Sequence, residues 1–106
     1  MKQLQIIPRD SFNLYGGLVK RVIELQRRKQ GTFYRSGGKQ KDQAKWAHKG
    51  YNGWVRLARG MGDVVLAEIR TKADPQDEWR LFHAFLGFLD RNFREHIAAV
   101  NIQFAE

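Results

Sequence analysis

Two spacings of apolar residues divide the chain. Near the start, Leu4 and Ile6 alternate with Gln3 and Gln5, a period of two that predicts a strand with one buried face over residues 2–7. Pro8 and the Arg-Asp-Ser after it close that strand. Ser11 or Asn13 can then cap a helix, because their side-chain oxygens accept from free first-turn amides. From Leu14 to Lys29 the period becomes helical. Leu14, Tyr15, Leu18, Val19, Val22, Ile23 and Leu25 share one half of the helical wheel, and Lys20, Arg21, Glu24, Arg27 and Arg28 the other. Gly31 is the predicted stop. Thr32 to Arg35 is a candidate short strand, and residues 36–43 (Ser-Gly-Gly-Lys-Gln-Lys-Asp-Gln) form a polar, glycine-containing loop.

Three strand-like runs follow, at 44–49, 53–59 and 63–72. The connections Gly50-Tyr-Asn-Gly53 and Gly60-Met-Gly62 tolerate positive φ, so the runs predict an antiparallel meander. Asp74-Pro75 breaks the chain and opens a second helix from Asp77 to about Glu95. Trp79, Leu81, Phe82, Phe85, Leu86, Phe88, Leu89 and Phe93 make its apolar stripe. A last strand at 98–104 turns Val100, Ile102 and Phe104 inward and Asn101 and Gln103 outward.

The order β-α-β-β-β-α-β predicts an α+β two-layer sandwich, with a mostly antiparallel sheet and two helices on one face. The first and last strands are expected side by side in the middle, in a ferredoxin-like arrangement with an extra hairpin strand. That fold hosts many unrelated tasks and brings no activity with it. The open sheet face is expected to carry Gln3, Gln5, Asn101 and Gln103, with Trp54 and Arg56.

Composition narrows the class. The 106 residues are 42% hydrophobic and 28% charged, which suits one globular domain over residues 1–106 rather than a disordered chain. The chain has no cysteine, so it can hold neither a disulfide framework nor a thiolate metal site. Apolar runs stay short of the ~18 residues a membrane span needs, and the N-terminus lacks a signal pattern. The expectation is a cytoplasmic protein with no membrane partner.

Charge changes the picture most. Ten of the nineteen Lys and Arg residues lie between Lys20 and Lys49, opposed there only by Glu24 and Asp42, so this segment holds the entire net charge of +8. Confinement of that kind points to a polyanionic partner, either nucleic acid or an acidic protein surface. For nucleic acid, Lys20, Arg27, Arg28, Lys39, Lys41, Lys45 and Lys49 are the candidate phosphate contacts, since cations at phosphates release condensed counterions. Trp46, Tyr51 and Trp54 are the candidate stacking rings; a cross-strand pairing of Trp46 with Trp54 is the plainer alternative.

Signals for catalysis are thin. His48, His83 and His96 are too far apart in sequence for a metal pair, and the carboxylates offer no paired acid–base site. Neither a P-loop nor a dinucleotide fingerprint is present; Gly16 and Gly17 read as points where the helix packs closely on the sheet. No metal or cofactor is expected. Three readings follow: a non-enzymatic nucleic-acid-binding module, a self-associating protein-interaction module forming a homo-oligomer, and a small metal-independent ribonuclease centred on His48, Tyr51 and Arg56.

Overall fold

Alternating burial along each strand and one-sided burial along each helix produce a two-layer α+β sandwich. The computed structural model describes residues 1–38 and 40–105. In chain order the elements are β1 (Lys2–Pro8), α1 (Leu14–Arg27), β2 (Phe33–Arg35), β3 (Gln43–His48), β4 (Trp54–Arg59), β5 (Val65–Arg70), α2 (Pro75–Phe93) and β6 (Ile97–Phe104). One-turn 3-10 helices at Met61–Asp63 and Arg94–His96 make two of the connections.

The six strands form one sheet, ordered β2-β3-β4-β5-β1-β6, with every pairing antiparallel. β1 stands between β5 and β6, the split β-α-β arrangement of a ferredoxin-like sheet, and two meander strands extend it where one was expected. The additional strand is β2, where Phe33, Tyr34 and Arg35 pair with His48, Ala47 and Trp46. A second expectation is corrected. β1 and β6 do lie side by side, but β6 is an edge strand and not a central one. The α2 crossover from β5 passes over β1, and its strand docks on the far side.

Both helices cover one sheet face. Leu14, Leu18 and Val22 of α1 and Leu81, Phe85 and Leu89 of α2 share a core with Leu4, Ile6, Val55, Leu57, Val65 and Ile69 of the sheet. Asn13, not Ser11, caps α1, its Oδ1 accepting from the Gly16 N–H at 3.2 Å. The helix also ends earlier than Gly31 predicts. Lys29 takes a left-handed φ of 57°, Gln30 N–H donates to Leu25 at 2.8 Å and Lys29 N–H to Gln26 at 3.1 Å, a Schellman closure. Gly17 packs against Phe12 and Phe93 rather than against the sheet.

One charge enters the covered side. Lys2 lies beside Leu4 and Ile6 on the helix-facing side of β1, 4% exposed. Its ammonium sits 4.0 Å from the Trp79 ring centre and 3.4 Å from Glu78, which compensates its burial.

Candidate functional site

Because α1 buries only one stripe, its adjacent flank is left to line a cleft. Val19, Lys20, Ile23 and Arg27 form one wall. The end of β2 (Arg35), the start of β3 (Ala44), the end of β4 (Arg59) and Gly38, Gln40 and Lys41 before β3 form the other, around a volume of about 810 Å³. The floor is apolar and the rim cationic. Gln26 ties the walls together, its Oε1 accepting from the Arg35 N–H at 3.3 Å.

The cations here differ in how committed they are. Among the described residues, Lys20, Arg27, Arg35 and Lys41 have no carboxylate within ion-pair distance. Glu24, the acidic residue on this wall, instead faces Arg21 at 3.5 Å. Arg21 is directed between the helices, donating to Asn92 Oδ1 at 3.0 Å. Arg59 is committed as well, with Asp42 and Asp63 each at 3.6 Å. Burial raises the Tyr15 hydroxyl above its ordinary pKa, and the Asp42 carboxylate adds to the rise while Arg59 opposes it.

Of the ten residues singled out from sequence, the cleft gathers Lys20, Arg27 and Lys41. Lys39 lies outside the described residues. Arg28 and Lys49 are exposed but do not line the cleft. Lys45 and Trp54 fall on the open sheet face, where the Lys45 ammonium stands 5.1 Å from the Trp54 ring centre and already occupies part of that ring. Trp46 requires correction as a stacking residue: it is 1% exposed and packs among Phe88, Phe33 and Phe85 at ring separations of 5.4–6.0 Å. It is not a cross-strand partner of Trp54 either, since Trp46 pairs with Val55 and Trp54 with Arg70 on the other face.

Tyr51 stacks on His48, with ring centres 4.6 Å apart and planes at 14°. His48 Nδ1 accepts from the Gly50 N–H at 2.9 Å, and the ring meets Phe33 edge-on at 4.9 Å. Burial lowers the His48 pKa. Arg56, the third residue of the ribonuclease reading, projects from the opposite sheet face, beside Lys45 and Glu68. The fold therefore does not assemble His48, Tyr51 and Arg56 around one reacting phosphate. Among the described residues no three His, Asp or Glu side chains form a group suited to a metal ion, and no helix is long and apolar enough to cross a membrane.

The open face matches its sequence reading more closely. Gln3, Gln5, Asn101 and Gln103 line a shallow concavity of about 320 Å³ together with Arg56 and Glu68. Adjacent strands align Lys45, Arg56, Glu68, Gln3 and Gln103 in one transverse row.

No family model, curated protein or solved structure matches the chain. Its function is read from its own residues.

Sequence reasoning missed Arg35 and Arg59 at the cleft. Arg35 lies inside the basic segment, and its two-residue spacing from Phe33, which puts both on the helix-facing side of a paired strand, was the available signal. Arg59 lies beyond the segment and reaches the cleft only because β4 runs beneath α1.

Proposed function

We propose that the chain is a non-enzymatic module that binds nucleic acid through its phosphate backbone, with the cleft between α1 and the 36–43 loop as the principal contact. The observation that carries this reading is the convergence of Lys20, Arg27, Arg35 and Lys41 on one concavity, with no carboxylate paired to them among the described residues. Uncompensated cations held together keep their counterions until a polyanion displaces them, and that release favours binding whatever the base sequence. The apolar floor of Val19, Ile23 and Ala44 suits the sugar or base of an unpaired strand, so the proposed ligand is single-stranded. Lys45, Arg56 and Trp54 on the open face are a separate, secondary contact region.

The test is fluorescence anisotropy of a labelled single-stranded oligonucleotide with the wild type and an Arg27→Glu/Lys41→Glu variant. The variant is expected to bind at least tenfold more weakly with unchanged thermal stability. An Arg80→Glu/Arg94→Glu variant changes the net charge equally, on α2 and the 3-10 turn that follows it, and is expected to keep most of the affinity. Equal loss in both variants would reduce the cleft to one part of a diffuse positive field. Absence of binding even at low salt would make an acidic protein surface the better reading.

A further inference from the structure

The two edges of the sheet have opposite character. β2 is three residues long and ends on Arg35, whereas β6 is eight residues long and contains neither a charged residue nor a proline. Natural sheets blunt their edges with short strands, charges or proline, and a long uncharged edge is a template for another strand. The backbone pair between Met1 and Ala105, bonded in both directions at 3.0 and 2.9 Å, sets the alternation along β6. Gln103, Asn101 and Ala99 turn their N–H and C=O groups toward β1, so Val100, Ile102 and Phe104 turn theirs outward, where no strand among the described residues pairs with them; before Ala99 the register shifts, with Ile97 opposite Pro8 and Ala98 the extra residue of a bulge. Side chains on that margin are also uncovered: Ile102 is 36% exposed and Phe104 62%, and Trp79 of α2, itself 42% exposed, lies 5.6 Å from Phe104 between ring centres.

We infer that β6 pairs antiparallel with β6 of a second copy of this chain, about a two-fold axis at Asn101, to give a continuous twelve-stranded sheet. The strand is complementary to itself in that register. Val100 faces Ile102 of the second copy and Ile102 faces Val100, both pairs on the helix-covered side. On the open side Ala99 faces Gln103, and the two Asn101 amides meet. The outward backbone groups of Val100 and Ile102 then gain partners, and the interface is isologous, as a closed dimer requires.

Charge selects the same edge. The net charge of +8 belongs to residues 20–49, which supply β2, β3 and most of α1, and the strand order puts β6 at the far side of the sheet. At ~4.8 Å per strand, β3 lies about 20 Å from β6. Pairing through β6 therefore holds the two basic ends several Debye lengths apart at physiological salt, whereas pairing through β2 would press them together. This inference does not depend on the cleft, and it is tested in the absence of nucleic acid.

The chain's lack of cysteine makes the register directly readable. In this pairing residue 101 occupies a non-hydrogen-bonded position, where Cα atoms stand ~4.5 Å apart, within disulfide reach. Mild oxidation of Asn101→Cys should give a cross-linked dimer, while Gln103→Cys, which would face Ala99 of the second copy, should stay monomeric on a non-reducing gel. Light scattering should give the wild type twice the chain mass. Ile102→Lys/Phe104→Lys places charges on two exposed side chains of the seam and should give the single-chain mass with unchanged circular dichroism. A wild type that is monomeric at every concentration would overturn the inference. So would a dimer that survives both lysines and fails to cross-link at position 101.

Discussion

The Arg59 guanidinium stands 5.2 Å from the centre of the Tyr15 ring, joining the end of β4 to the first turn of α1. Asp42 and Asp63 hold it from the other side, and the Arg59 N–H donates to the Asp42 carbonyl at 2.9 Å. One arginine thus anchors the end of the basic loop, and its charge is largely spent on that task.

Asp42→Asn should release part of that charge, since Asp63 stays at 3.6 Å. The amide leaves the backbone bond intact while removing a carboxylate from the cleft mouth, so affinity for a single-stranded oligonucleotide should rise several-fold. The salt dependence should steepen by up to about 0.7 in log–log slope for one added phosphate contact. Weaker binding in the same anisotropy assay would mean that Asp42 serves chiefly to position the loop.

The two tryptophans on neighbouring strands should separate cleanly. Trp46→Ala opens a cavity among three phenylalanine rings and should cost about 3–5 kcal/mol in urea unfolding. Trp54→Ala, on the open face, should cost about 1 kcal/mol or less, apart from the lost contact with Lys45. If Trp46→Ala were as stable as the wild type, the aromatic core described above would be wrong.

Protons should destabilise the fold through His48. Burial lowers its pKa from the ordinary 6.5 in the folded state, so the unfolded chain takes up the proton first. The stabilising contribution is complete above pH 6.5 and is lost as pH falls from there toward the folded-state value. Thermal melts should show the midpoint declining over that window, and His48→Phe should flatten that part of the curve. An unchanged slope in the variant would exclude His48 as its source.

Lys29→Gly should stabilise the protein by about 0.5–1 kcal/mol, because position 29 closes α1 with a left-handed backbone that glycine adopts freely. Chemical denaturation measures this directly. Lys29 does not line the cleft, so the affinity ratio to wild type should stay near one.

Periodicity made the elements legible. The alternation of Leu4 and Ile6 with Gln3 and Gln5, and the helical stripe from Leu14, need only local geometry, and their buried faces lie where that geometry puts them. Strand order was less legible, because a long crossover leaves both sides of β1 open and nothing local in residues 97–104 marks them as an edge. For the site, the charge count found Lys20, Arg27 and Lys41. It could not tell Trp46 from Trp54, whose faces depend on the register of a hairpin rather than on composition. Nor could it join Arg59 to a segment that ends at Lys49, since that meeting is tertiary.

The most direct test of the proposed function is the salt dependence of binding to a single-stranded oligonucleotide between about 50 and 200 mM. With three or four phosphates held by Lys20, Arg27, Arg35 and Lys41, log K should fall against log salt with a slope of about −2 to −3, and Arg27→Glu/Lys41→Glu should reduce that slope by at least one. A flat dependence, or the same slope in the variant, would contradict a phosphate-binding cleft.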